Sequence, residues 1–116
     1  MRIVLILIYA CLATQVRADI TEADGKSLAR LSGPKVAENF GFAYAAMNIC
    51  DLRGFKIHPE LEAGYNVIKN TRYLDYLTDE AYVAWVEGRN RFYQLNQDKG
   101  SAVSCVVAQE LKIIVK

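Results

Sequence analysis

Apolar residues that recur every three or four positions constrain this chain more than any other feature. From Ser32 onward they are spaced as on one face of an α-helix, with Pro34 in the first turn. This face comprises Val36, Phe40, Ala43, Tyr44, Met47 and Cys50. A second pattern begins behind Thr78, a residue type that favours helix N-caps. Its inner face comprises Tyr82, Trp85, Arg89, Phe92 and Leu95. On the outer face, Glu87 and Arg91 are spaced for an ion pair.

Three shorter segments also favour helices. They are residues 22–31, a segment that begins at Pro59 or Glu60, and a segment capped by Ser101. The tail, residues 112–116, is rich in β-branched residues, but no second strand pattern exists to pair with it. We therefore expect the tail to be helical or extended and packed on the bundle. The whole pattern predicts an all-α fold, a single domain of about four helices.

The first 18 residues have the pattern of a cleaved secretory signal. Basic Arg2 precedes an apolar run, and small residues close the segment at Val16 and Ala18. The run is shorter than the roughly 20 residues that cross a bilayer, so no transmembrane segment is expected. These features predict a signal peptide over 1–18 and an exported helical domain, periplasmic or secreted, over 19–116.

An alternative interpretation concerns Cys11. The preceding residues, Ile8 to Ala10, resemble a bacterial lipobox, in which Cys11 would be acylated and become the mature N-terminus. Tyr9 stands where that motif takes a small residue. Lipidation would tether the protein to a membrane instead of leaving it free.

Two cysteines, Cys50 and Cys105, remain once the first 18 residues are removed. An even number of cysteines in a small exported domain is typical of a disulfide framework, and here only one pairing exists. The alternative is a pair of buried reduced thiols. The sequence therefore predicts one Cys50–Cys105 disulfide.

The balance of charge argues against nucleic acid as a partner. The whole chain has 14 Lys plus Arg against 13 Asp plus Glu. Without residues 1–18 these numbers become 12 and 13. Such a chain has no excess of basic side chains to neutralise a phosphate backbone. We therefore expect no nucleic-acid partner.

His58 is the single histidine, so any histidine-based catalysis would have to use it. No Gly-x-Ser-x-Gly motif accompanies it, and Glu60 and Glu62 follow at a spacing that is poor for a metal site on a helix. The sequence predicts no metal, no cofactor and no catalytic residues. The alternative is a small hydrolase or metal-dependent enzyme that uses His58 with Asp51 or Glu60.

The segment 73–93 is rich in tyrosine, tryptophan and arginine, the residue types that concentrate in binding hot spots. Tyr82, Trp85 and Phe92 lie on the predicted inner face and are expected in the core. The other aromatic residues exceed what that face requires, so we expect them to be at least partly exposed. The predicted contact patch comprises Tyr73, Tyr76 and Tyr93, with Arg89 or Arg91 at its edge.

A small exported helical domain with one long-range disulfide is similar in plan to the acid-activated periplasmic chaperones of enteric bacteria. The likeness covers size, address and cysteine count, and no residue role is carried over. It implies a chaperone or inhibitor role.

These features together predict an exported, non-enzymatic interaction protein. It would be a periplasmic or secreted accessory factor, inhibitor or chaperone that acts on a protein partner, in the envelope or outside the cell, through a helical aromatic surface. A structural subunit of an envelope assembly, lipid-anchored at Cys11, is a further alternative.

Overall fold

The computed structural model describes residues 19–116, and the predicted signal peptide therefore lies outside the described residues. The described part contains five α-helices: α1 (Glu22–Leu31), α2 (Pro34–Cys50), α3 (Pro59–Asn70), α4 (Asp79–Lys99) and α5 (Ser101–Glu110). Single 3₁₀ turns follow α2 and α3, at Asp51–Arg53 and Tyr73–Tyr76. The predicted all-α, single-domain fold is confirmed. None of the helices in this range is long and apolar enough to span a membrane.

The helices begin where the local chemistry favours it. Pro34 and Pro59 occupy the first turns of α2 and α3, where the missing proline N–H costs no hydrogen bond. At the start of α4, the Thr78 hydroxyl accepts a hydrogen bond from the Ala81 N–H at 3.2 Å. This bond satisfies one of the free N–H groups at the helix end.

The two long helices, α2 and α4, pack directly against each other through glycine. A Cβ atom added at Gly41 would collide with the backbone carbonyl of Trp85, and one added at Gly88 would collide with the carbonyl of Glu38. The two glycines thus let the helix backbones come closer than side chains normally permit. This close packing makes α2 and α4 the centre of the fold.

The predicted disulfide is present and joins the end of α2 to the middle of α5. The Cys50 and Cys105 Cα atoms are 5.7 Å apart, and both side chains are fully buried. Around the bridge lies one of two core clusters, which includes Phe42, Ala46, Phe55, Phe92, Ala108 and Ile114. The other cluster lies towards α1 and includes Ala29, Ala37, Phe40, Ile68, Tyr73 and Trp85.

The expectation that the tail has no strand partner is wrong. Residues Ile114–Val115 form a short strand, β2, which pairs antiparallel with β1 (Lys56–Ile57). Each strand has two residues, which is too short to produce an alternating pattern in the sequence. The pairing closes the bundle beside the disulfide, since Ile114 is fully buried in the same cluster.

The predicted helix faces need two further corrections. Val36, predicted on the apolar face of its helix, and Tyr82, expected in the core, are both exposed. Glycine and alanine make the seam between α2 and α4, and Ala37 and Ala81 are the fully buried residues next to the two expected positions. The other residues of both predicted faces are buried or half-buried, so the departure is confined to the first turn of each helix.

Substitution of Gly88 by alanine should destabilise the protein. Alanine normally stabilises a helix interior relative to glycine, but here its Cβ would force the helices apart. We expect a loss of at least about 2 kcal/mol in the free energy of unfolding, measured by denaturant titration.

Gly33→Ala is the matched control, because no atom lies within 4 Å of the added Cβ at this position. It should cost less than about 1 kcal/mol, the range for an N-cap change. Equal losses in the two variants would contradict the direct helix contact.

Replacing both bridged cysteines by alanine should lower stability without a change of fold. The bridge spans a sequence separation of 55 residues. Closing a loop of this size contributes about 4 kcal/mol in the chain-entropy model. Denaturant titration of Cys50→Ala/Cys105→Ala against the oxidised wild type should reveal this loss. An unchanged unfolding midpoint would show that the bridge adds nothing to stability.

Candidate functional site

An open groove with a volume of about 730 Å³ lies between α2, α3, α4 and the two 3₁₀ turns. Its size is in the range of natural ligand pockets. The apolar part of its lining comprises Tyr44, Met47, Tyr65, Ile68, Leu74 and Trp85. The charged part comprises Asp51, Lys69, Arg72, Asp75 and Arg89. We refer to this feature as the groove.

The floor of the groove is part of an aromatic cluster held by the contact between α2 and α4. The ring centroid of Trp85 lies 5.6 Å from that of Tyr44 and 6.0 Å from that of Tyr73. Tyr73 in turn makes an edge contact with Phe40 at 6.5 Å. Because neighbouring rings hold one another in place, the groove has a rigid base.

Tyr73, predicted to be partly exposed, is fully buried. Its hydroxyl donates a hydrogen bond to the Ser32 Oγ at 2.9 Å. The Ser32 hydroxyl in turn donates to the backbone carbonyl of Leu28 at 2.7 Å. Burial raises the pKa of Tyr73 above its ordinary value. The ring could enter the core because its polar tip has a partner there. Tyr73 is thus no part of an exposed patch.

Tyr76 is half-buried and bonded to α1. Its hydroxyl donates a hydrogen bond to a carboxylate oxygen of Glu22 at 2.8 Å. The backbone N–H of Arg72 donates to the same oxygen at 3.0 Å. These two bonds lower the pKa of Glu22, the bond from Arg72 most, whereas the bond to Glu22 raises the pKa of Tyr76. The ammonium of Lys26 lies 5.5 Å from the centre of the Tyr76 ring. Tyr76 therefore joins α1 to the turn before α4.

Arg91 is bonded within the fold. Its guanidinium pairs with Glu38 across α2 and α4 at 2.9 Å and lies 5.1 Å from the centre of the Phe42 ring. The predicted pair between Glu87 and Arg91 is therefore wrong. A partner on the adjacent helix is nearer to the guanidinium than the residue one turn away.

Arg89 lines the groove, and Tyr93 lies beside the lining without being part of it. They are one turn apart on α4, and the Asn48 side chain, which lines the groove with Arg89, donates a hydrogen bond to the Tyr93 hydroxyl at 3.0 Å. Tyr93 is 36% exposed. Tyr76 lies before the start of α4, whereas Tyr93 lies about 20 Å from that start along the helix axis. The structure thus brings one predicted site residue, Arg89, into the groove lining, leaves Tyr93 bonded to the lining residue Asn48, and does not bring the patch together.

The charged residues of the groove differ in their partners. Arg72 and Asp75 pair with each other at 2.9 Å, and the Lys69 ammonium lies 5.6 Å from the centre of the Tyr65 ring. The Arg89 guanidinium bonds to the neutral side chain of Asn90 at 3.3 Å. Within residues 19–116, no carboxylate lies within 4 Å of Arg89. Arg89 therefore keeps an uncompensated positive charge at the groove in this part of the chain.

Leu52 is the functional candidate that the sequence did not reveal. It lies at the rim of the groove, in the 3₁₀ turn after α2, and 89% of its surface is exposed. One leucine in a polar turn carries no pattern, so no sequence signal could have identified it. Tyr44 was predicted on a helix face, but its meeting with Tyr65 at one groove depends on the tertiary packing.

His58 caps α3 and does not line the groove. Its Nδ1 accepts a hydrogen bond from the Glu60 N–H at 3.1 Å. Of its proposed partners, Asp51 does line the groove. The geometry therefore does not gather His58, Asp51 and Glu60 in one pocket. Residues 19–116 contain no group of three or more histidine, cysteine or acidic side chains arranged to hold a metal ion.

Comparisons of the chain with protein-family models, with curated proteins and with solved structures found no match. The inference of function consequently rests on the geometry of the groove and its surroundings.

Substitution of Trp85 by alanine should cost about 3 to 5 kcal/mol of stability, because the indole is 2% exposed and supports the aromatic floor. Tyr82→Ala is the control on the same helix, since that ring is 46% exposed and should cost less than about 1 kcal/mol. Denaturant titrations of both variants measure the difference. Similar losses at the two positions would contradict the assigned helix face.

Proposed function

We propose that the protein is an exported, non-enzymatic interaction protein that binds a partner protein through the groove and its rim. This keeps the predicted class of function and moves the contact surface. Tyr93 and Arg89 stay in the surface, Leu52 joins it, and Tyr73 is removed from it.

The observation that carries this proposal is an exposed leucine beside an aromatic-floored groove. An apolar side chain as exposed as Leu52 gains free energy when a partner covers it. Alone it would mean little, but here it lies at the rim of a groove with an aromatic floor, and the exposed Tyr93 is bonded to Asn48 in the lining of that groove. Apolar and aromatic area surrounded by polar groups is typical of protein-binding surfaces.

Two further features support export and a binding role. A buried disulfide such as Cys50–Cys105 persists in oxidising compartments, which agrees with the signal-like segment at the front of the chain. The enzyme alternative has weaker support, because the Nδ1 of His58 accepts its capping bond from the Glu60 N–H. In a neutral ring the proton then lies on Nε2, so neither nitrogen is free to accept a proton as a catalytic base must.

Site-specific photo-cross-linking in the native envelope tests the proposal. A benzoyl-phenylalanine placed at position 52 should yield one dominant cross-linked protein, identified by mass spectrometry. The same probe at Val106 should not, since Val106 is exposed to 47% on α5, which contributes nothing to the groove. Excess unlabelled protein should compete the product away.

Unlabelled Leu52→Ser/Tyr93→Ala protein, added in the same excess, should fail to compete this product away, while its melting temperature changes by no more than a few degrees. Both side chains lie at the surface, so the loss should fall on binding, by at least roughly 2 kcal/mol if they are hot spots. Equal cross-linking from positions 52 and 106, or none from either, would contradict the proposal. Activity that disappears in His58→Ala with binding unchanged would favour the enzyme alternative.

A further inference from the structure

We infer that the groove recognises a partner segment in which an acidic side chain lies next to an aromatic or large aliphatic one. This inference rests on the proposed function and adds the chemistry of the bound segment. It follows from three separate properties of the groove, namely its apolar floor, its unequal charges and the apolar surface that continues beyond its rim.

The floor is suited to one apolar side chain. Tyr44 and Met47 are half-buried and face the groove above the buried Trp85. Tyrosine offers flat apolar area, and methionine adapts to the shape of what it contacts. An aromatic or large aliphatic side chain would therefore displace water from this floor with little rearrangement.

The charges favour an anionic neighbour for that side chain. Of the five charged residues in the lining, Arg72 and Asp75 neutralise each other at 2.9 Å. Lys69 and Arg89 then face a single acid, Asp51, which leaves one positive charge in excess. The positive excess is local to the groove, because residues 19–116 as a whole contain 12 basic and 13 acidic residues.

Arg89 is the residue suited to bind the acid. Its guanidinium, in the described chain, bonds to the amide oxygen of Asn90 and to no carboxylate. A guanidinium can bind a carboxylate through two parallel, charge-assisted hydrogen bonds. Arg91, two residues on, already has its carboxylate in Glu38.

The surface extends too far for a small molecule to cover it. Leu52 at the rim and Tyr93 beyond Asn48 both lie outside the base of the groove, and both are exposed. A small carboxylate bound over Trp85 would leave these side chains in water. A protein segment that enters the groove would cover them with its flanking residues, so we assign the groove to a protein partner.

Four capped pentapeptides test this chemistry. The first carries aspartate next to phenylalanine at its centre. In the others, asparagine or lysine replaces the aspartate, or glycine replaces the phenylalanine. The oxidised protein contains a single tryptophan, Trp85, so its fluorescence and its indole N–H resonance report directly on the groove. The Arg89 side-chain resonance reports on the acid.

The aspartate–phenylalanine peptide should shift both resonances and bind at least about tenfold more tightly than the other three peptides. Arg89→Gln should remove this preference for aspartate over asparagine. Arg91→Gln should keep it, and thermal unfolding should show that both variants fold. The Arg91 variant controls for the loss of one positive charge on α4.

Other outcomes would overturn the inference. These are binding of none of the peptides, equal binding of the lysine peptide, or an unchanged preference in Arg89→Gln. Phenylpropionate binding as tightly as the best peptide would indicate a small-molecule site instead. If position 52 still cross-links an envelope protein in Arg89→Gln as in wild type, the groove chemistry is wrong and the proposed function stands. Peptide selectivity without any envelope partner would contradict the proposed function and leave the groove chemistry intact.

Discussion

The direct contact between the backbones of α2 and α4 is the constraint on which the rest of the structure depends. Gly41 and Gly88 leave no room for side chains in the seam between these helices. Larger residues are therefore displaced to its two sides. On one side lies the core around the disulfide. On the other side the rings of Tyr44 and Trp85 meet at 5.6 Å and become the floor of the groove. The groove is thus a product of the same packing that holds the fold together.

The helices could be predicted because their signals are local. Capping by Thr78, the first-turn prolines and the apolar spacing placed the starts of α1 to α4 within a residue or two. The β1–β2 pairing depends on residues about 60 positions apart with two residues each, and no local pattern records it. The helix faces near Val36 and Tyr82 were wrong because apolar spacing gives no weight to a glycine seam.

The candidate site was harder to predict, because exposure is a property of packing and not of residue type. Tyr73 and Tyr93 look alike in the sequence, yet one is fully buried and the other is 36% exposed. The difference lies in their partners, since Ser32 accepts the Tyr73 hydroxyl inside the core and Asn48 bonds to Tyr93 at the surface. The arginines divide in the same way. Glu38 compensates Arg91, and Arg89 remains available at the groove.

The walls of the groove are held in place before any partner arrives. Leu52 lies two residues after Cys50, whose disulfide to Cys105 fixes the end of α2 against α5. On the opposite wall, Glu22 bonds to both Arg72 and Tyr76 and so ties the second 3₁₀ turn to α1. A partner that binds such a surface orders few side chains and little backbone, which reduces the entropic cost of association. For this reason a groove of moderate size can support specific binding in so small a domain, and under the proposed function the disulfide would serve recognition by holding Leu52 in place.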